Sequence, residues 1–230
     1  MLKPKRKILR KEIQRDPFLE SLFSFKSHFQ DYKQLYIRIT IGFIALVIVG
    51  AYIVRTKASN YNLAELMLSK GMIYIEQGDT QNAIIQLQEV IDEFPNTIPG
   101  KNASFYLGHI HYDRRNYELA LPYFEEYTNE GKNIILLGAS FQALVEIFKI
   151  KGNLGDAIHY QKLSRDKASS KGEAAYAALK LANLTYQNGD VLMAKSLLKE
   201  VLNKHGDDLE IKQVADQLNG LMQVGNPSLN

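Results

Sequence analysis

Ala83, Ala120, Ala157 and Ala194 fall 37 residues apart at every step. Gly78, Arg115, Gly152 and Gly189 precede them by five at the same period. Leu107, Leu144 and Leu181 share a third column, begun by Lys70, and Gly71, Gly108, Val145 and Ala182 form a fourth. Four columns held in register over four units dictate a stack of like elements, because a unit this short buries its apolar face only against a neighbour. Each unit reads as helix, tight turn, helix. Gly78-Asp79, Gly152-Asn153 and Gly189-Asp190 are turn pairs: Gly takes the left-handed position that ends the first helix, and Asp or Asn caps the second. The Ala five residues on sits where the paired helices cross, and a larger side chain there overpacks the crossing at about 1–3 kcal/mol. The spacing predicts helices over 60–76 and 79–93, 101–114 and 116–129, 134–151 and 153–167, and 171–188 and 190–204. Pro95 and Pro99 are expected to break the chain between the first two units. A last helix over 208–222 closes the stack, with Asp208, Glu210, Lys212, Asp216 and Gln217 as its polar outer face. The repeat domain is placed at 58–223, with 224–230 as a tail.

Ahead of the repeats lies Tyr36 to Val54, uncharged from Ile39 onward. At roughly 1.5 Å per residue this stretch is about 29 Å long, the thickness of a bilayer's hydrocarbon core. It predicts a transmembrane helix over 36–54. A cleaved signal is the rival reading, but the apolar run is longer than the 7–15 residues of a signal and no A-x-A site follows it. Residues 1–35 form a basic tail with an amphipathic segment. In that segment Phe18, Leu22, Phe25, Phe29 and Tyr32 share one helical face, suited either to the inner leaflet or to a membrane partner. Ten Lys/Arg lie at or before Arg38, while Arg55 and Lys57 follow the span. That asymmetry predicts a cytoplasmic N-terminus and repeats on the far side.

The charge split also narrows the function. Residues 1–38 carry net +6 and residues 58–230 net −5. An acidic repeat domain argues against nucleic acid, which needs a clustered positive surface. With no Cys there is no thiolate zinc site and no Cys nucleophile. His109 and His111 point about 200° apart on a helix, a poor pair for one metal. Glu125-Glu126 and Asp207-Asp208 read as solvated faces rather than acid–base pairs. No phosphate-binding or hydrolase motif occurs. The expectation is a non-enzymatic chain with no cofactor and no metal, whose partners are proteins.

The columns resemble the tetratricopeptide repeat. Gly71, Tyr74, Gly78, Ala83 and Pro95 follow its pattern in the first unit, and Leu107, Gly108, Tyr117, Ala120 and Phe124 in the second. Leu144, Phe148, Gly152 and Ala157, then Leu181, Ala182, Gly189 and Ala194, follow it in the third and fourth. The opening Trp is absent, and the period is 37 rather than 34. The resemblance implies an all-α superhelix of four helix-turn-helix units plus a capping helix, whose first helices line a partner-binding groove. The groove positions are Leu68, Met72 and Ile75; Phe105, His109 and Tyr112; Gln142, Glu146 and Lys149; and Tyr176, Leu179, Asn183 and Tyr186. Only Lys149 and Asn183 suit the carboxylate clamp of the family's chaperone-tail binders, so that clamp is not expected. The rival reading is that several of these side chains merely pack between helices.

The layout of basic tail, aromatic-rich FLESLFSFKSHF segment, single span and four repeats resembles the YfgM family of ancillary subunits of the bacterial SecYEG translocon. That resemblance implies an inner-membrane protein with a periplasmic repeat domain and chaperone-like holding of exported proteins. Its partners would be translocon subunits, a membrane chaperone or exported polypeptides. The alternative is a structural scaffold subunit in an envelope-biogenesis or division complex.

Overall fold

The computed structural model describes residues 17–224. The basic stretch 1–16 and the tail from Gly225 to Asn230 lie outside the described residues. The chain divides after Lys57 into two units.

The first unit holds α1 (Pro17–Asp31) and the start of α2 (Lys33–Glu76). Pro17 sits in the first turn of α1, where its missing N–H costs no hydrogen bond. Phe25, Phe29 and Tyr32 are exposed. The sequence reading ended one helix at Val54 and opened the next at residue 60, yet α2 runs through both. Residues 55–59 are Arg-Thr-Lys-Ala-Ser, with neither Gly nor Pro to interrupt a helix. Among the described residues, α2 alone is long and apolar enough to cross a membrane. Its large apolar side chains from Ile39 to Val54 are 48–72% exposed.

The second unit is all helix among its described residues. The C-terminal part of α2 pairs with α3 (Thr80–Glu93), α4 (Ile98–Asp113) with α5 (Tyr117–Glu130), α6 (Ile134–Ile150) with α7 (Leu154–Asp166), and α8 (Lys171–Gln187) with α9 (Val191–His205). α10 (Leu209–Val224) follows and packs on α8 and α9. The four turns are built alike. Gly78, Gly152 and Gly189 have φ of +74°, +73° and +89°, and Arg115 takes the same left-handed conformation at +61°. At each turn two N–H groups reach back to close the helix. Gly78 N–H donates to Ile75 O and Asp79 N–H to Tyr74 O, and the pattern repeats at Arg115-Asn116, Gly152-Asn153 and Gly189-Asp190. Asp79, Asn153 and Asp190 then accept a backbone N–H of the next helix, while Asn116 makes no such cap.

Ala83, Ala120, Ala157 and Ala194 are fully buried, where the helices of each pair cross. Leu107, Leu144 and Leu181 are buried as well. Lys70 begins their column as an exposed residue because no repeat precedes the first unit for it to pack against. Two expectations need correction. Pro99 does not lie between helices: Thr97 caps α4 by accepting the Gly100 N–H at 3.0 Å, and Pro99 occupies the first turn, where φ is already helical. Nor is α10 purely a polar cap. Glu210, Lys212, Asp216 and Gln217 are exposed, but so are Val214 at 39% and Leu221 at 64%.

Candidate functional site

The first helices α4, α6, α8 and α10 form one layer, with α4 against α6 and α8 against α10. A hollow of about 400 Å³ opens toward the N-terminal ends of α6 and α8, lined by Ile134, Ile135, Gly138, Gln142, Glu173, Tyr176, Ala177 and Lys180 among others. Three more run in a row along this layer. Between α4 and α6 a cleft of about 260 Å³ is lined by Phe105, His109, Tyr112, Phe124, Ala139, Gln142, Ala143 and Glu146. Between α6 and α8 a smaller one of about 140 Å³ is lined by Gln142, Glu146, Lys149, Gln161, Lys180, Asn183 and Gln187, with Val145 and Leu184 at its base. Between α8 and α10 a third of about 280 Å³ is lined by Tyr176, Leu179, Lys180, Asn183, Val214, Gln217, Leu218 and Leu221. Adjacent hollows share residues: Gln142 and Glu146 belong to the first two, Lys180 and Asn183 to the last two. They therefore adjoin in a row, here called the groove, aromatic at one end, polar in the middle and apolar at the other.

The predicted positions separate into two groups. His109, Tyr112, Gln142, Glu146, Lys149, Tyr176 and Asn183 line the groove with accessible side chains. Phe105 and Leu179 line it from beneath, at 5% and 3% exposure, and belong to the packed core. Leu68 is buried at 6% and Met72 and Ile75 are half-buried, all three in the core around α3. Tyr186 lies half-buried between α8 and α10, its hydroxyl 3.5 Å from the Leu221 carbonyl oxygen.

The groove's polar groups are mostly paired. Lys149 Nζ lies 2.9 Å from Glu146 Oε2 and donates to both of its oxygens. His109 Nδ1 lies 3.1 Å from Asp113 Oδ2. Tyr176 donates to Glu210 at 3.1 Å. Lys180 Nζ reaches across from α8 to donate to Gln142 Oε1 at 2.7 Å. Burial and the nearby Glu146 carboxylate hold the Tyr112 phenol above its ordinary pKa. His111 turns the other way, stacked on Tyr123 at 5.9 Å with its Nδ1 buried and unpartnered. Burial and the neighbouring Arg114 hold its pKa below the ordinary value. Among the described residues no three His, Cys, Asp or Glu side chains come together as a metal site.

Sequence reasoning missed Val214, Leu218 and Leu221, and it could have found them. Leu218 continues the column of Leu107, Leu144 and Leu181 by one more period of 37. α10 thus stands where the first helix of a fifth unit falls. Lys180 and Gln187 were missed because the family's groove positions skip them.

Residues 65–97 match the family model of the tetratricopeptide repeat. Tetratricopeptide repeat protein 29 of Macaca fascicularis is 25% identical over 126 residues, covering 54% of this chain and 24% of that protein. The human protein of the same name is 24% identical over the same length and coverage. The chain spans about a quarter of the length of these curated relatives. A crystal structure of a tetratricopeptide repeat protein from Parabacteroides merdae aligns with a TM-score of 0.52 at 16% identity. It covers 68% of this chain and 60% of that one, a likeness of fold. The second unit therefore has a tetratricopeptide-like helical fold, and such repeats mark a protein–protein interaction module. Scaffolds of this kind are generally non-catalytic.

Proposed function

We propose that the chain is a single-pass protein of a bacterial inner membrane that holds polypeptides beside the secretion channel. α2 crosses the bilayer with the N-terminus cytoplasmic, and the repeats face the periplasm. The groove takes up segments of exported chains and keeps them from aggregating, as the resemblance to the YfgM family implies. The observation that carries this reading is the row of hollows along the first helices: three that adjoin through shared lining residues present an elongated surface, which suits a chain rather than a compact small molecule. The exposed apolar stretch of α2 and the cationic excess before it support the anchor and its orientation.

The test uses the full chain in lipid nanodiscs with a chemically unfolded client. The native chain slows client aggregation at equimolar ratio, and Ala143→Glu, which puts a charge into the α4–α6 hollow, loses that effect. Native protein that leaves aggregation unchanged and instead forms a stoichiometric complex with one folded envelope protein contradicts the holding role and favours the scaffold. Orientation is read separately from a single Cys placed at Lys195 in a chain that has none. An impermeant maleimide labels it from the periplasmic side, and labelling only after lysis overturns the topology.

A further inference from the structure

Gln161 breaks a column. In the second helices the 37-residue period runs Leu87, Phe124, Gln161, Leu198. All four are buried, and three are apolar. Gln161 has no exposed surface; its Nε2 donates to the Ala177 carbonyl at 3.1 Å and its Oε1 has no partner. A buried acceptor without a donor destabilises a fold, and a leucine there would follow the pattern of the other units. The exception coincides with the central hollow, which Gln161 helps to line. Across this hollow lies Lys180, whose ammonium donates to the amide of Gln142 and which lines the adjoining α6–α8 hollow together with Glu173. Of the charged side chains that line this hollow, Lys149 is matched by Glu146 and Lys180 has no ion pair among the described residues, so the hollow's own lining is positive by one. The repeat domain around it is net negative.

We propose that the central hollow is a polar seat for an extended polypeptide. Gln161 accepts an N–H of the bound segment and Lys180 pairs with an acidic side chain. The apolar hollows on either side each take one large apolar side chain. Neighbouring packed helices lie about 8–10 Å apart, and with α6 and α8 bridged by the Lys180–Gln142 hydrogen bond these two hollows, two helix steps apart, are roughly 20 Å apart. An extended strand rises about 3.3 Å per residue and shows alternate side chains on one face, which sets the two anchors about six residues apart. The occupant is a segment of the form apolar, acidic, apolar, with that spacing. Lys180 and Gln187 line the same hollow with exposed side chains that are free to shift, and the segment's N–H reaches the buried Gln161 when the lining opens. This inference rests on the reading of the groove as a holder of polypeptide segments and names the class of segment.

The experiment measures anisotropy of fluorescein-labelled peptides with the full chain in lipid nanodiscs, and with empty nanodiscs as the blank. One peptide carries Phe at positions 3 and 9 and Asp at 7 on a Gly/Ser/Thr background, so that all three side chains share one face of the extended strand. Its companions move the second Phe to position 5, replace Asp by Lys, or lack Phe. The first binds about tenfold or more tighter than each companion. Lys180→Glu reverses the preference for Asp over Lys. Gln161→Leu raises Tm, which shows an intact fold, and weakens the first peptide severalfold. Equal affinity across spacing and charge, or unchanged affinity in Gln161→Leu, overturns this inference and leaves the broader groove reading standing. If no peptide binds and the chain captures only a folded partner, both fall.

Discussion

The left-handed turn column isolates a backbone effect from every side-chain contact. Gly78, Gly152 and Gly189 have φ between +73° and +89°, and a Cβ built on any of them meets nothing within 4 Å. Gly→Ala at these sites therefore costs only the strain of an L-residue in the left-handed region, about 1 kcal/mol each. In a domain of this size that lowers Tm by roughly 2–4 °C. The three sites lie in different units, so the triple variant loses about 3 kcal/mol if the sites are independent. Gly220 is the internal control. It lies inside α10 and a Cβ there also meets nothing within 4 Å, so Gly220→Ala gains about 0.5–1 kcal/mol of helix propensity. Arg115 completes the set. Arg115→Gly relieves the strain of its +61° φ and gains about 0.5 kcal/mol, the remainder being offset by a looser unfolded chain. Urea unfolding of the full chain in detergent, followed by circular dichroism at 222 nm, reads all five changes. The reasoning is wrong if the three turn variants are neutral, or if Gly220→Ala destabilises as much as they do.

Ala157→Leu, at a fully buried crossing, destabilises by about 1–3 kcal/mol, while Leu119→Ala, at a 54% exposed position, is nearly neutral in the same unfolding assay. Pro122 sits inside α5, so Pro122→Ala stabilises by about 1–3 kcal/mol, read as a higher urea midpoint. Burial and the hydrogen bond to Glu125 at 3.0 Å push the Tyr160 phenol up to about 12. Its folded pKa is raised above the unfolded value near 10, so its contribution is complete below pH 10 and is lost as pH climbs toward 12. Tyr160→Phe removes that alkaline slope, seen by stability measurements across the window. His111 is the opposite case, its folded pKa lowered first by burial and then by Arg114. Its contribution is present above pH 6.5 and fades as pH falls through the folded pKa, so His111→Phe keeps the stack on Tyr123 and flattens the acid limb below 6.5.

The fold was legible because one period repeats. The turn column, the buried alanines and the leucine column each follow from a 37-residue spacing, and even Arg115 obeys the conformation its column demands. What escaped the sequence reading was local. Pro99 was read as a breaker because a proline between repeats ordinarily separates helices, yet the cap at Thr97 places it in the first turn of α4, which tolerates a residue without an N–H. The apolar stretch and the first repeat were read as two separate helices, ending at 54 and opening at 60, yet nothing in residues 55–59 ends a helix. The groove was only half legible. A family pattern names positions on a helix face but not how deep each one sits, so Leu68, Phe105 and Leu179 were named with accessible neighbours although they are buried. α10 was read as a cap from its charges, and its apolar face at Val214 and Leu221 emerges only when the period is carried one unit further.

Photocrosslinking in intact cells tests the central claim, that the layer of first helices holds polypeptide segments. Probes go at Gln142 and Leu221, which line the groove, and at Lys195, an exposed position on the second-helix layer. The account predicts crosslinks to many exported chains, together with channel subunits, from Gln142 and Leu221 but not from Lys195. Crosslinks to the same partners from all three positions, or from Lys195 alone, contradict it.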